Sequence, residues 1–109
     1  MTIQRLMSIE KALLEIDSRY KFDLPFNDAI KLNKLLGDVG SITNYFFEIQ
    51  SEYAEKYGDY DKLKEYHEKL MEEEIEYNRD EAILFISKVY NLVEDNEFKE
   101  MVDNLGILR

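Results

Sequence analysis

The chain has 109 residues, of which 45% are hydrophobic, and 24 Asp and Glu side chains outnumber 14 Lys and Arg. This is the length of one small domain, with enough apolar residues for a single core. The net charge of −10 argues against binding to nucleic acid or to an anionic membrane surface, because both need clustered Lys and Arg.

The negative charge lies in the second part of the chain. Residues 1–40 carry six basic and six acidic side chains, whereas residues 41–109 carry eight basic and 18 acidic ones. Without cysteine, no disulfide or Cys-based zinc site can form. The start of the chain lacks the apolar region of a signal peptide, and no uncharged run is long enough to cross a bilayer. We therefore expect a cytoplasmic protein.

The first predicted element is an amphipathic helix from about Ile3 to Tyr20. Its apolar residues recur at spacings of three and four, as one face of a helix requires, at Leu6, Ile9, Leu13 and Ile16. Pro25 ends this segment and suits the first turn of the next helix. We expect three apolar residues around the break to close the end of the core, namely Phe22, Leu24 and Phe26.

A long second helix is predicted from Pro25 to Tyr57, roughly 50 Å at about 1.5 Å per residue. We interpret it as the spine of the fold, because seven apolar residues form an unbroken seam at Leu32, Leu35, Val39, Ile42, Phe46, Ile49 and Tyr53. Gly37 and Gly40 lie in the middle of this helix, although glycine is a poor helix former. The unshifted seam favours a continuous helix over a break capped by Ser41, and the glycines then mark a place where another element packs closely.

Gly58 has the position of a left-handed helix C-cap and predicts a reversal of the chain. A third helix starting at Asp59 or Asp61 then folds back antiparallel to the second. Its apolar face consists of Leu63, Tyr66, Leu70 and Met71.

The stretch after Met71 is ambiguous. Asn78 and Glu81 have capping-box spacing, so we expect a helix over residues 82–93, apolar on most sides and buried on more than one. The alternative is a short β-hairpin that pairs residues 74–77 with 85–90. A last amphipathic helix ends at Gly106, with Ile107 placed to contact it. The fold prediction is thus all-α, with residues 1–109 as a single helical domain built on a long antiparallel helical hairpin.

No catalytic, cofactor-binding or metal-binding residue is predicted, and we expect no enzyme. His67 is the only histidine, and Met71 stands where the second histidine of a zinc motif would be. Asp59 and Asp61 begin like a calcium loop, but Lys64 replaces its glycine and Leu70 its final glutamate. The clustered glutamates of residues 72–76 fit a solvated surface.

Tyrosines and carboxylates concentrate at the predicted hairpin turn. Tyrosine is enriched where proteins bind one another, although it also suits the edge of a helical core. Carboxylates on helices can attract a basic groove and can imitate the phosphates of nucleic acid. We predict a partner-binding site composed of Glu52, Tyr53, Glu55, Tyr57, Asp59, Tyr60, Asp61, Glu65 and Tyr66.

Several short segments between residues 20 and 80 form a recognisable set, namely Leu24-Pro-Phe, Ala29-Ile-Lys-Leu, Leu35, Tyr45, Tyr53-Ala-Glu-Lys-Tyr-Gly58, Leu70-Met and Glu74-Ile-Glu. In these segments the chain resembles small acidic helical proteins of tailed bacteriophages and prophages. It implies a phage origin and no particular activity.

The predicted function is that of a non-enzymatic acidic protein-binding module. We expect an inhibitor of a basic host protein, for example a defence nuclease, acting in the host cytoplasm without direct binding to nucleic acid or membrane. The alternative is a phage virion or assembly accessory protein or chaperone, and a distant alternative is an enzyme with no recognisable motif. Association into a homodimer stays open.

Overall fold

The computed structural model describes residues 1–108, which form five α-helices and one short 3₁₀ turn. In chain order these are α1 (Ile3–Tyr20), the 3₁₀ turn (Lys21–Asp23), α2 (Phe26–Tyr57), α3 (Tyr60–Glu72), α4 (Asp80–Leu92) and α5 (Asn96–Leu105). One cluster of buried apolar side chains joins α1, α2, α4 and α5, while α3 contributes only partly buried residues.

The centre of the fold is α1 rather than α2. The Thr2 hydroxyl caps α1 by accepting a bond from the backbone N–H of Arg5. The helix contacts each of the other four and buries the face that its spacing predicts, namely Ile3, Leu6, Ile9, Ala12, Leu13 and Ile16. The long helix is therefore one of the elements around α1, and the expectation that it forms the spine is wrong.

Helix α2 runs without a break through both glycines, as its seam predicts. A Cβ atom at Gly37 would meet nothing within 4 Å, so the expected close packing there is wrong. At Gly40 the neighbour is the tip of Glu10 on α1, 3.6 Å from an ideal Cβ. That carboxylate accepts a 2.8 Å bond from the buried Thr43 hydroxyl, which links α1 to α2.

The alternative β-hairpin is wrong, because the described residues contain no strand. Residues 85–90 belong to α4, where Ala82, Phe85, Ile86 and Val89 share one face and are buried. The segment between α3 and α4 is not helical, but it meets the start of the chain. The backbone N–H of Ile75 donates to the Met1 carbonyl at 2.7 Å, and the Met1 amine pairs with Glu74.

Helix α4 is buried on one side only, contrary to expectation. Leu84 and Leu92 are exposed on its other side. The Asn78 side chain accepts from the backbone N–H of Asp80, so it serves the start of α4 as expected, although Arg79 is the N-cap residue. After α5, Gly106 is left-handed with φ 67° and Ile107 is buried, which confirms the predicted ending.

The connection between α1 and α2 does not close the core. Phe22 and Phe26 are 94% and 79% exposed, and only Leu24 packs partly against the core. The prediction for the two phenylalanines is wrong: α1 ends at Tyr20, Phe22 lies in the 3₁₀ turn and Phe26 in the first turn of α2, and both side chains are exposed there. Ile30, one turn further along α2, is also exposed. We call Phe22, Phe26 and Ile30 the apolar end patch.

Polar contacts join the end of α1 to the start of α5. Arg19 contacts Asp95 at 2.9 Å and Glu97 at 2.7 Å, and the Tyr20 hydroxyl donates to Asp95 at 2.6 Å. Burial, reinforced by this bond, raises the pKa of Tyr20 to about 12. The same bond, together with the N–H of Phe98, lowers the pKa of Asp95. These contacts fix α5 against α1 at the end of the molecule that carries the apolar end patch.

The continuity of α2 predicts opposite effects for two glycine substitutions. Gly37→Ala adds a methyl group in open space within a helix, so it raises the free energy of unfolding by about 0.5–1 kcal/mol. Gly58→Ala places a residue with a Cβ atom in the left-handed backbone region, at φ 59°, and so lowers the free energy of unfolding by about 1–2 kcal/mol. Urea unfolding followed by circular dichroism measures both. A destabilising Gly37→Ala would contradict the continuous helix.

Candidate functional site

Helices α2 and α3 extend beyond the core. Helix α2 has 32 residues against 18 in α1, and its last buried residue is Phe46. Helix α3 has no buried residue at all. The two helices therefore form a hairpin whose end projects from the helices packed around α1, and the molecule is elongated, 48 × 25 × 23 Å.

The turn at the end of the hairpin is shaped by two caps. Gly58 is left-handed, and its backbone N–H donates to the Ala54 carbonyl at 2.8 Å. The Asp59 carboxylate accepts from the backbone N–H groups of Asp61 and Lys62 at 2.9 and 3.5 Å. Asp59 is thus the N-cap of α3, and its negative charge suits the start of a helix. It has a structural role as well as its proposed role in binding.

Three of the predicted tyrosines are in contact. Tyr53 and Tyr66 stack across the two helices with ring centroids 4.3 Å apart and an interplanar angle of 10°. Tyr57 lies against Tyr53 at 4.6 Å, with the ammonium groups of Lys56 and Lys62 over its ring at 5.4 and 5.7 Å. Such contacts hold the rings in fixed positions while leaving Tyr57 47% exposed. Tyr60 stands outside the stack and is 78% exposed.

The predicted carboxylates surround this stack on exposed positions. Glu52, Glu55, Asp61 and Glu65 form no ion pair with any other of residues 1–108. Between residues 48 and 69, however, four lysines accompany seven carboxylates, so this part is less acidic than the second half of the chain as a whole. All nine predicted site residues lie on the last two turns of α2, the reversal and the first two turns of α3.

A groove on one side of the hairpin was not predicted. Its first part is a cavity of about 360 Å³ with a largely apolar lining that includes Ile3, Ile42, Tyr45, Phe46, Ile49, Leu70 and Ile75. A second cavity of about 250 Å³ lies beside the stacked tyrosines and is lined by Ile49, Glu52, Tyr53, Lys56, Tyr57 and Tyr66. Ile49 lines both cavities, so we describe them together and call them the hairpin groove.

The groove could be found only in part from the sequence. Ile42, Phe46 and Ile49 belong to the predicted apolar seam, but that pattern does not reveal which of its residues stay uncovered. Ile3 and Ile75 both line the groove, and the backbone bond between Ile75 and Met1 joins their segments across 74 positions of the chain. No local periodicity encodes that contact.

His67 is exposed, but it lies on the side of α3 that faces α2. Its Nδ1 atom is 2.6 Å from the Gln50 side-chain oxygen, and its ring lies 5.8 Å from that of Phe46. These contacts join α3 to α2. Within residues 1–108, no three His, Asp or Glu side chains come together as a metal site would require.

None of the helices described is both long and apolar enough to cross a membrane. In comparisons with protein-family models, curated proteins and solved structures, the chain matches none of them.

Proposed function

We propose that the protein is a non-enzymatic module that binds a basic partner protein through the end of the α2–α3 hairpin. The observation that carries this proposal is the set of stacked tyrosines at a projecting end, bordered by carboxylates without ion-pair partners. Rigid aromatic side chains bind with little loss of conformational entropy. Unpaired carboxylates steer a basic surface toward them and favour it over an acidic one.

The resemblance to acidic phage proteins suggests how such binding is used. In this proposal the protein inhibits a host factor with a basic groove, such as a nuclease of a defence system, by occupying the groove with carboxylates in place of phosphates. Glu52, Glu55 and Glu65 are the free charges best placed for this role. Asp59 contributes less, because its carboxylate already accepts two backbone bonds.

A charge-reversal experiment tests the proposal. Glu52→Lys, Glu55→Lys and Glu65→Lys are combined in one variant, and Asp59 is left in place because its loss would uncap α3. The expected result is binding to the partner captured from a bacterial lysate that is weaker by at least about tenfold at low salt. Binding of the unmodified chain should also weaken from 0.1 M to 1 M salt, as the Debye length falls from about 10 Å to 3 Å.

The control is a second variant with the same change in net charge at exposed positions away from the hairpin. It combines Asp23→Lys, Glu94→Lys and Glu100→Lys, and we expect it to bind nearly as well as the unmodified chain. Equal weakening of both variants would mean that only the total charge matters. Unchanged binding by the hairpin variant would refute the proposal.

The apolar end patch favours a second candidate, a virion or assembly component. Phe22, Phe26 and Ile30 lie at the opposite end of α2 from the tyrosine stack, within the part of the chain whose charges balance. Large apolar side chains that form an exposed patch mark interaction sites more often than single exposed ones do.

This candidate predicts self-association that depends on the patch. Phe22→Ser combined with Phe26→Ser should lower the weight-average mass in light scattering at high protein concentration, with little change in stability because both rings are exposed. Leu84→Ser with Leu92→Ser is the matched control, since these leucines on α4 are 68% and 67% exposed. A monomeric unmodified chain, or equal effects of both variants, would exclude the candidate.

A further inference from the structure

The hairpin groove has the length of a short helix. It follows α2 from Ser41 to Tyr57, which is roughly 24 Å at about 1.5 Å per residue. A helix of about 16 residues spans the same distance. The groove is bounded on one side by α2 and on the other by α3 and the segment that follows it, so its long axis runs along the hairpin.

The lining is apolar with an acidic border. Ile42, Ile49, Leu70 and Ile75 line it but are only partly buried, and Tyr45 is 51% exposed. Ile42, Leu70 and Ile75 pack against the core on one side and line the groove on the other. Burying such surface is the largest favourable contribution that a partner could gain here.

Carboxylates lie at both ends of the groove. Glu52 lies at the tyrosine end, and Glu73 and Glu74 lie at the end near Ile75. Glu74 pairs with the Met1 amine, and Glu73 is 3.8 Å from the ammonium group of Lys69. Glu52 has no such partner among residues 1–108. Lys56 is the one basic side chain that lines the described groove.

These features select one mode of peptide recognition over others. Strand addition needs a sheet edge, and residues 1–108 contain no strand. A second copy of this chain would bring its own excess of carboxylates to an acidic border, which is unfavourable at a net charge of −10. A helix with an apolar face and basic flanks matches both the lining and its border.

We propose that the hairpin groove binds an amphipathic helix of the partner protein. Apolar residues of that helix at positions i, i+3 or i+4, and i+7 contact the lining between Ile42 and Tyr66. Lys and Arg residues on its flanks face Glu52 and Glu73. This inference rests on the proposed function, since it names the element of a basic partner that is recognised.

The first test uses synthetic peptides of about 16 residues as probes. One is an amphipathic helix of Leu and Lys, the second has the same composition in a scrambled order without an apolar face, and the third has Glu in place of Lys. Fluorescence anisotropy should show the first peptide binding at least about tenfold more tightly than the second, and no binding of the third. Equal binding of the first two would overturn the proposal, because charge alone would then explain it.

A matched pair of variants locates the binding. Tyr45 and Phe47 are both exposed aromatic residues of α2, but only Tyr45 lines the groove. Tyr45→Glu should weaken binding of the amphipathic peptide by at least about tenfold, and Phe47→Glu should leave it nearly unchanged. Because both side chains are exposed, both variants are expected to fold, which circular dichroism checks. A larger effect of Phe47→Glu would overturn the proposal.

The same variants separate this inference from the proposed function. If charge reversal at the hairpin end weakens binding of the captured partner while Tyr45→Glu does not, the proposed function stands and the helix-binding groove is refuted. If neither change affects the captured partner, both are refuted. If both weaken it and the peptides discriminate as expected, both are supported.

Discussion

Burial of α1 by the other four helices is the interaction on which the rest of the structure depends. Five large aliphatic side chains and one alanine of α1 are at most 2% exposed. Each large one contributes about 1.5–3 kcal/mol through removal from water, in a domain whose whole net stability is about 5–15 kcal/mol. The arrangement explains why the first helix is the centre of the fold, since it contacts every other helix.

The different lengths of α1 and α2 create the candidate site. Helix α2 continues past the start of α1, and the seam residues Ile49 and Tyr53 are then covered by α3 alone. Part of this seam stays open as the hairpin groove, because no third helix packs against it there. The stacking of Tyr53 on Tyr66 keeps the two helices together where no third helix supports them.

Local sequence patterns predict the positions of the helices well, but they do not predict which helix faces are buried against other elements. The spacing of apolar residues, Asp59, Gly58 and Gly106 predicted helices and ends close to those observed. The β-forming residues 85–90 suggested a strand, but burial against α1 outweighed that preference. The apolar character of Phe22 and Phe26 predicts that they are buried in the core. Both are exposed, because their positions depend on where α1 ends. The groove depends on a contact between Met1 and Ile75, which no local pattern reveals.

Hydrogen–deuterium exchange with mass spectrometry tests the central claim most directly, namely that the hairpin is the binding surface and α1 the stable centre. In the free protein, amides of the hairpin beyond Phe46 should exchange well before those of α1, because few buried contacts hold them. Adding the basic amphipathic peptide should slow exchange within residues 41–76 and leave α5 unchanged. Protection centred on α4, α5 or the apolar end patch would contradict the account.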